Sequence, residues 1–342
     1  MQDFTFRPWG RPDWLMSKSR VENWVAIACL ATEERSVLSA LEVSKYAKHI
    51  LIIQINDPSP ALDGLHLEAY RENKAFFERN CTIDYSISEF DLKASLDQIR
   101  SIVNEAGKKS SNVIVDITSF PKRWFFPIMR FLVNNTKIKN LKVIYTRGAK
   151  YAHVLSENPE TLRVIPSFVS VDNRTDHDYA FVGVGFHTHS MVTMFGSDNA
   201  KSLQMLFPFP PGPPNTNRNW RFAQQIERIV QRDDNLVQGL DPINYLYLDA
   251  KDVSQVFDAM KMTTDGGSRT SIMAPYGPKT FSLAMCLFAL AVEKSEKPEV
   301  PVFYSQPQRY AVNYTESVAR FGDVIDSWCY AVKYQGKFIY EI

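Results

Sequence analysis

The chain has 342 residues, of which 45% are hydrophobic and 23% are charged, and its formal net charge at pH 7 is +1. This composition is typical of a globular protein and excludes a disordered chain, and the length predicts two domains. The near-neutral charge excludes binding to duplex DNA through a global basic field.

The cysteines and the apolar runs exclude further classes of protein. The four cysteines are scattered and form no C-x-x-C pair, so we predict no structural zinc and no cofactor. The opening MQDFTFRPWGRPDW does not resemble a signal peptide. The longest apolar runs have about half of the ~20 residues that a membrane span requires. We therefore predict a cytoplasmic protein without a membrane partner.

The predicted elements begin after an N-terminal extension, 1–20, whose Trp9 and Trp14 either dock on a neighbouring protein or pack on the chain itself. In the first predicted unit, 21–175, short apolar runs alternate with helical patterns, which is typical of βαβ units with a parallel sheet. The predicted strands are 24–31, 49–56, 82–88, 112–118 and 141–146, and the predicted helices are 33–46, 64–79, 91–107 and 121–135.

The second half of the chain repeats the first. PKRWFFPIMRFLV (121–133) lines up with PKTFSLAMCLFAL (278–290), and VIYTRGAKY (143–151) lines up with VFYSQPQRY (302–310). Two earlier apolar runs match in the same order at nearly the same offset. The sequence therefore predicts two copies of one unit of roughly 150 residues.

The second predicted unit, 176–342, has the same order of elements. Its second strand runs into a proline-rich loop, 207–214, which is not expected to pair as a central strand. Alternating apolar residues around Gln335 and Gly336 predict a C-terminal β-hairpin in this unit. The predicted strands lie near 180–187, 204–209, 243–249, 270–275 and 301–305.

Hydroxyls and cations follow the predicted strand 112–118. Pro121 suits the first position of a helix, and Thr118 or Ser119 can cap it. Lys122 and Arg123 then stand in the first helical turn, where the helix dipole disfavours cations unless an anion is bound. Free N–H groups, hydroxyls and a lysine at one helix start predict a phosphate site. The predicted ligand-binding residues of this loop are Asp116, Thr118, Ser119, Lys122 and Arg123.

The alternative for this loop is a solvated basic turn or a salt bridge to Asp116. The second copy favours the anion site, because APYGPKT (274–280) again places a lysine, Lys279, after a proline. Gly277 allows close approach of the backbone, Thr280 offers a hydroxyl, and Tyr276 is a further candidate for ligand contact.

The loop GFHTHS (185–190) follows the first strand of the second copy. His187 and His189 are spaced for a metal site or an acid–base pair, but no third ligand is nearby, so we favour ligand contact. Thr188 aligns with Thr32 of the first copy, and both are predicted ligand contacts.

Four tyrosines occupy matched places after the last parallel strands: Tyr145, Tyr151, Tyr304 and Tyr310. They either stack on nucleobases or pack at the strand ends with their hydroxyls in water.

The stretch DITSFPK (116–122) has the form D-x-T-x-x-x-K at the end of a fourth strand. It resembles the signature of CRISPR-associated Rossmann-fold (CARF) domains, and two such units in one chain look like the SAVED arrangement. The resemblance implies an α/β fold with two tandem Rossmann-like units, mostly parallel sheets and a pseudo-two-fold axis. It also implies a cyclic oligonucleotide ligand and a role in bacterial anti-phage defence. The second copy departs from the signature at Met273 and Pro275.

Two functions are therefore weighed. The favoured one is a sensor that binds a nucleotide second messenger between the two halves, on Lys122 and Lys279, and signals to a separate effector subunit. The alternative is a phosphodiesterase or related enzyme in the same cleft, with His187 or His189 as general acid or base and Lys122 and Arg123 stabilising the developing charge.

Overall fold

The structure is a computed structural model that describes residues 6–18, 21–56, 64–152, 155–171, 174–185, 198–209, 224 and 241–342. It divides into two compact units. The first consists of Met1–Asn158 and Pro307–Glu341, and the second of Pro159–Gln306 with Ile342. The second unit thus begins at Pro159, earlier than the predicted 176, and the segment Pro307–Glu341 belongs to the first unit.

The first unit contains five described helices and most of the strands. The helices are α1 Pro12–Lys18, α2 Glu34–Ser44, α3 Gly64–Asn80, α4 Leu96–Lys109 and α5 Lys122–Asn134. The strands before the second unit are β1 Trp9–Gly10, β2 Trp24–Leu30, β3 Ala47–Asn56, β4 Asp84–Asp91, β5 Asn112–Asp116, β6 Asn140–Thr146, β7 Gly148–Tyr151 and β8 Ser156–Pro159.

The central sheet of the first unit has the order β4-β3-β2-β5-β6, and all of these neighbours pair in parallel. Every residue of β2 is buried, which is typical of a parallel strand with helices on both faces. The strands leave β2 in opposite directions, toward β3 on one side and β5 on the other. This is a doubly wound, Rossmann-like α/β sheet, as the sequence predicted.

The second unit contains four longer strands and two described helices. The strands are β9 Arg163–Val164, β10 Asp176–Gly183, β11 Asn199–Phe209, β12 Asp241–Asp249, β13 Ser271–Pro275 and β14 Phe303–Tyr304, and the helices are α6 Val253–Thr263 and α7 Lys279–Lys294. Its sheet has the order β12-β11-β10-β13 with parallel pairing. This is the order β4-β3-β2-β5 of the first unit, so the two copies share a topology.

The first residues of the segment that the sequence assigned to a proline-rich loop belong to a strand, since β11 extends to Phe209. Pro208 still lies in β11, opposite Leu248 of β12. The pairing of β11 with β10 ends at Leu206, so within the described residues one neighbouring strand, β12, pairs with β11 beyond that point. A proline is compatible with that position because only one side of the strand needs backbone donors there.

The C-terminal segment completes the sheet of the first unit. Its strands are β15 Pro307–Tyr310, β16 Thr315–Val318, β17 Arg320–Phe321, β18 Val324–Ile325, β19 Ser327–Tyr334 and β20 Lys337–Phe338. The predicted hairpin around Gln335 is present as β19 and β20, but β19 pairs antiparallel with β6. The assignment of the hairpin to the second unit was therefore wrong. Without β19, the buried strand β6 would be an exposed edge.

The N-terminal arm packs on the same segment. Strand β1 pairs with β19, and the Trp9 ring lies 5.5 Å from the Trp328 ring. The fully buried Asp326 forms an ion pair with Arg11 at 3.2 Å. The sequence left open whether the arm packs on the chain itself or docks on a neighbouring protein. Trp9 packs on the chain itself, whereas Trp14 is 48% exposed. No helix among the described residues is long and apolar enough to cross a membrane.

Candidate functional site

Two loops meet where the strand order of the first unit reverses. The chain leaves β2 through residues 31–33 and leaves β5 through residues 117–121. In doubly wound sheets, ligands bind outside the carboxyl ends of the strands at this reversal. We refer to the space at these two loops as the switch-point crevice.

Glu33 connects three segments of the chain at the switch-point crevice. Its carboxylate is 6% exposed and accepts hydrogen bonds from Arg35 Nη2 at 3.1 Å, Ser119 Oγ at 2.9 Å and Thr315 Oγ1 at 2.7 Å. Ser119 belongs to the loop after β5, and Thr315 is the first residue of β16. The hydrogen bond of Ser119 to Glu33 therefore joins the two loops directly.

The Glu33–Arg35 pair is ionised. Burial by itself would raise the pKa of Glu33, but the Arg35 charge and the hydroxyls of Thr315 and Ser119 outweigh it and hold the pKa below its ordinary value. Burial would lower the pKa of Arg35, yet the neighbouring Glu33 carboxylate raises it well above its ordinary value.

Tyrosines surround the Arg35 guanidinium, which is 3% exposed. Arg35 Nη1 donates to the Tyr151 hydroxyl at 3.3 Å, and the guanidinium carbon lies 5.6 Å from the centre of the Tyr151 ring and 5.9 Å from that of Tyr314. The Tyr145 hydroxyl is 3.4 Å from that of Tyr151, and burial raises the pKa of Tyr145 well above its ordinary value. Arg35 Nε has no hydrogen-bond partner within the described part of the chain.

The buried side chains of Asp116 and Thr118 hold the loop after β5 in place through hydrogen bonds. Asp116 Oδ1 accepts from the Thr118 amide at 2.9 Å, and Thr118 is fully buried. Thr118 Oγ1 accepts from the Thr146 amide at 2.8 Å and lies 3.1 Å from Ser39 Oγ. Both predicted ligand residues are thus engaged in holding the loop against α2 and β6.

The helix α5 begins one residue later than the sequence predicted. Pro121 is its N-cap rather than its first helical residue, and no side chain caps the helix. The expected caps have other partners, since Ser119 bonds to Glu33 and Thr118 to β6. Lys122, 7% exposed, and Arg123 are now its first two residues, and the first turn holds no acidic side chain.

Thr32 lies at the crevice through its backbone. The Asn73 amide nitrogen of α3 donates to the Thr32 carbonyl at 3.0 Å and to the Ala31 carbonyl at 2.8 Å. The loop after β2 is therefore fixed from the side of α3 as well as through Glu33.

The corresponding loops of the second unit pack backbone against backbone. A Cβ on Gly185 would lie 2.1 Å from the Tyr276 carbonyl oxygen, and one on Gly277 would lie 3.2 Å from the Gly183 carbonyl carbon. The glycines after β10 and β13 thus allow the backbones of the two loops to occupy the space at the switch point of the second unit. The first unit joins its loops through side chains instead.

The predicted residues of the second unit are mostly engaged in the interior. Tyr276 is 4% exposed, its hydroxyl donates to Ser305 Oγ at 3.3 Å, and burial raises its pKa to about 12. Thr280 is 1% exposed and donates to the Ala250 carbonyl at 2.6 Å. Lys279 is the first residue of α7 and is partly exposed.

His187, Thr188 and His189 lie outside the described residues. Within the described ranges, no group of three His, Cys, Asp or Glu side chains is arranged to hold a metal ion. The convergence of Lys122 and Lys279 on one cleft stays a prediction.

Thr32, Ser119 and Lys122 lie at the carboxyl edge of the sheet, where the sequence placed them, and their contact with a ligand stays a prediction. The sequence analysis overlooked Thr315 and Tyr314. Thr315 is 282 residues from Glu33 in the chain, and no local pattern connects them. Glu33 and Arg35 had a usable signal, because an acid and an arginine follow a fully apolar strand directly.

Replacing Thr315 with valine is expected to lower the free energy of unfolding of the first unit by about 1.5 kcal/mol, because the shape is kept while a buried carboxylate loses a donor. Urea unfolding followed by tryptophan fluorescence measures this, since five of the six tryptophans belong to the first unit. Thr82→Val is the matched control, because Thr82 is exposed. Equal stability of Thr315→Val and wild type would contradict the role assigned to Thr315.

Comparison with known proteins identifies no family for this chain. No protein-family model matches the chain, and no curated protein matches its sequence. The cytoplasmic domain of a prokaryotic cation chloride cotransporter has 7% identity and a TM-score of 0.24, covering 84% of this chain and 96% of that one. Carveol dehydrogenase from Mycobacterium avium, in complex with NAD, has 10% identity and a TM-score of 0.26, covering 84% and 98%. Nothing about the function of this chain follows from such scores.

Proposed function

We propose that the chain is a sensor whose first unit binds a phosphate-bearing nucleotide at the switch-point crevice. The observation that carries the proposal is the meeting of the loops after β2 and β5, measured by the 2.9 Å hydrogen bond from Ser119 to Glu33. This meeting brings the start of α5 to the place where doubly wound sheets bind ligands.

The charge for an anion comes from the start of α5. Arg35 is paired with Glu33 and mainly positions the loops. Lys122 and Arg123 are the first two residues of α5 and stand at the positive end of the helix dipole. Asp116 and Thr118 hold the loop in one conformation before the ligand arrives. Such preorganisation lowers the entropic cost of binding.

The resemblance of DITSFPK (116–122) to the CARF signature makes cyclic oligonucleotides the first ligands to test. On this proposal, the chain senses a second messenger in anti-phage defence and passes the signal to a separate effector subunit. The backbone packing of the second switch point supports one dominant site, in the first unit.

Calorimetric titration with cyclic and linear nucleotides tests the proposal. We expect micromolar binding of at least one nucleotide and about tenfold weaker binding by Lys122→Ala, because a charge-assisted contact to phosphate is lost. Lys48→Ala is the matched control, since Lys48 is exposed at the amino end of β3, at the opposite edge of the sheet.

Two results would overturn the proposal: no nucleotide binds the wild type, or Lys48→Ala weakens binding as much as Lys122→Ala. Mass analysis of the ligand after hours of incubation separates a sensor from a phosphodiesterase. A sensor returns the ligand unchanged.

A further inference from the structure

Three tyrosines form a contiguous aromatic surface beside the switch-point crevice. The Tyr151 and Tyr314 rings lie 6.2 Å apart at 67°, and the Tyr310 and Tyr314 rings lie 6.1 Å apart at 60°. All three side chains are partly exposed, unlike the fully buried Trp124, Phe125 and Phe126 of α5. We refer to Tyr151, Tyr310 and Tyr314 as the tyrosine cluster.

The fold fixes the position of the tyrosine cluster. Tyr151 ends β7, Tyr310 ends β15, and Tyr314 directly precedes β16. Strands β7 and β16 pair antiparallel, with Thr315 opposite Tyr151. The same Thr315 donates to Glu33, so one residue links the tyrosine cluster to the crevice.

Arg35 connects the tyrosine cluster to the switch-point crevice through hydrogen bonds. One of its terminal nitrogens donates to Glu33 and the other to the Tyr151 hydroxyl, so a single guanidinium contacts both the crevice and the cluster. The same guanidinium lies over the Tyr151 and Tyr314 rings. The rings are therefore held in place by a buried ion pair rather than by loop packing alone.

We infer that the tyrosine cluster is a nucleobase subsite for a nucleotide whose phosphate is bound at Lys122. One ring of the Tyr310–Tyr314 pair stacks on the base, and the other, inclined at 60° to it, contacts the edge of the base. This inference rests on the proposed function and specifies its ligand. Aromatic faces stack on any base, and hydroxyls and guanidinium groups beside them add polar contacts. The subsite therefore selects nucleotides over sugar phosphates without strict choice of base.

Paired ligands that differ only in the base test this inference. Equilibrium dialysis of the full chain compares AMP, GMP, CMP and UMP with ribose 5-phosphate. We expect the wild type to bind the best nucleotide about tenfold more tightly than ribose 5-phosphate. Tyr314→Ala and Tyr310→Ala should reduce that preference to about twofold or less, while Tyr314→Phe should retain it.

The control is Tyr334→Ala, since Tyr334 is 51% exposed in the same unit and lies outside the cluster. A wild type that binds nucleotides and ribose 5-phosphate equally, with binding still dependent on Lys122, overturns the inference and leaves the proposed function standing. An unchanged preference in both Tyr→Ala variants also overturns the inference. If none of these five compounds binds but a cyclic nucleotide does, the inference falls and the proposed function stands. If no cyclic or linear nucleotide binds either, both fall. Thermal unfolding of each variant shows whether a loss of binding comes from unfolding. If an alanine variant is unfolded, the preference of Tyr314→Phe for nucleotides over ribose 5-phosphate is the deciding measurement.

Discussion

Replacing Glu33 with alanine is expected to lower the free energy of unfolding of the first unit by about 3 to 5 kcal/mol. The replacement leaves the Arg35 guanidinium, only 3% exposed, without its counter-ion. It also removes the acceptor for the Ser119 and Thr315 hydroxyls. Urea unfolding followed by tryptophan fluorescence measures the loss.

A double variant separates the cost of the unpaired charge from loss of packing. Glu33→Leu combined with Arg35→Met removes both charges and keeps apolar volume, so we expect it to recover most of the stability that Glu33→Ala loses. A double variant as unstable as Glu33→Ala would show that hydrogen bonding and shape, rather than the ion pair, hold the loops.

The same pair makes the stability of the first unit depend on pH. The pKa of Glu33 in the folded chain lies below its ordinary value of 4.5. The carboxylate therefore stabilises the fold above that ordinary value, and this contribution disappears as the pH falls through the folded pKa. The stability difference between wild type and Glu33→Gln should shrink as the pH falls below 4.5, and a difference that grows on acidification would contradict this assignment.

Replacing Gly185 with alanine is expected to destabilise the second unit by about 3 kcal/mol. The new Cβ would lie 2.1 Å from the Tyr276 carbonyl oxygen and 2.8 Å from its carbonyl carbon, and both are backbone atoms of the loop after β13. The loops after β10 and β13 would have to separate. A flexible side chain could move aside cheaply, but a backbone segment that continues a buried strand cannot.

Hydrogen exchange of peptides covering β10 and β13 measures this effect in the second unit. We expect faster exchange there in Gly185→Ala and unchanged exchange in β2 and β3. Gly64→Ala is the matched control, because a Cβ at Gly64 meets nothing within 4 Å. Wild-type protection of β10 in Gly185→Ala would refute the close packing of the two loops.

The strands and helices of the first unit could be predicted closely from the sequence. Strand 24–31 is observed as Trp24–Leu30, and helix 64–79 as Gly64–Asn80. The largest shift is the start of α4, predicted at 91 and observed at Leu96. A capping box of Ser95 and Gln98 sets that start, and its S-x-x-Q pattern was present in the sequence.

The candidate site could be predicted only in part. The choice of the loop after β5 followed from local signals, namely hydroxyls, a proline and two cations after an apolar strand. Each hydroxyl has a hydrogen-bond partner that is distant in the sequence and that local signals do not reveal. Ser119 bonds to Glu33, and Thr118 bonds to Thr146. A residue that looks available in the sequence therefore serves to position the loop.

The sequence by itself determined the alternation of strands and helices, the duplication and the edge of the sheet where polar loops gather, because each follows from periodicity and residue types within a short window. Only the tertiary structure decided which sheet β19 joins and what surrounds Glu33. Both depend on the return of the C-terminal segment to the first unit across the intervening second unit, and contacts at such separations leave no periodic trace in the chain.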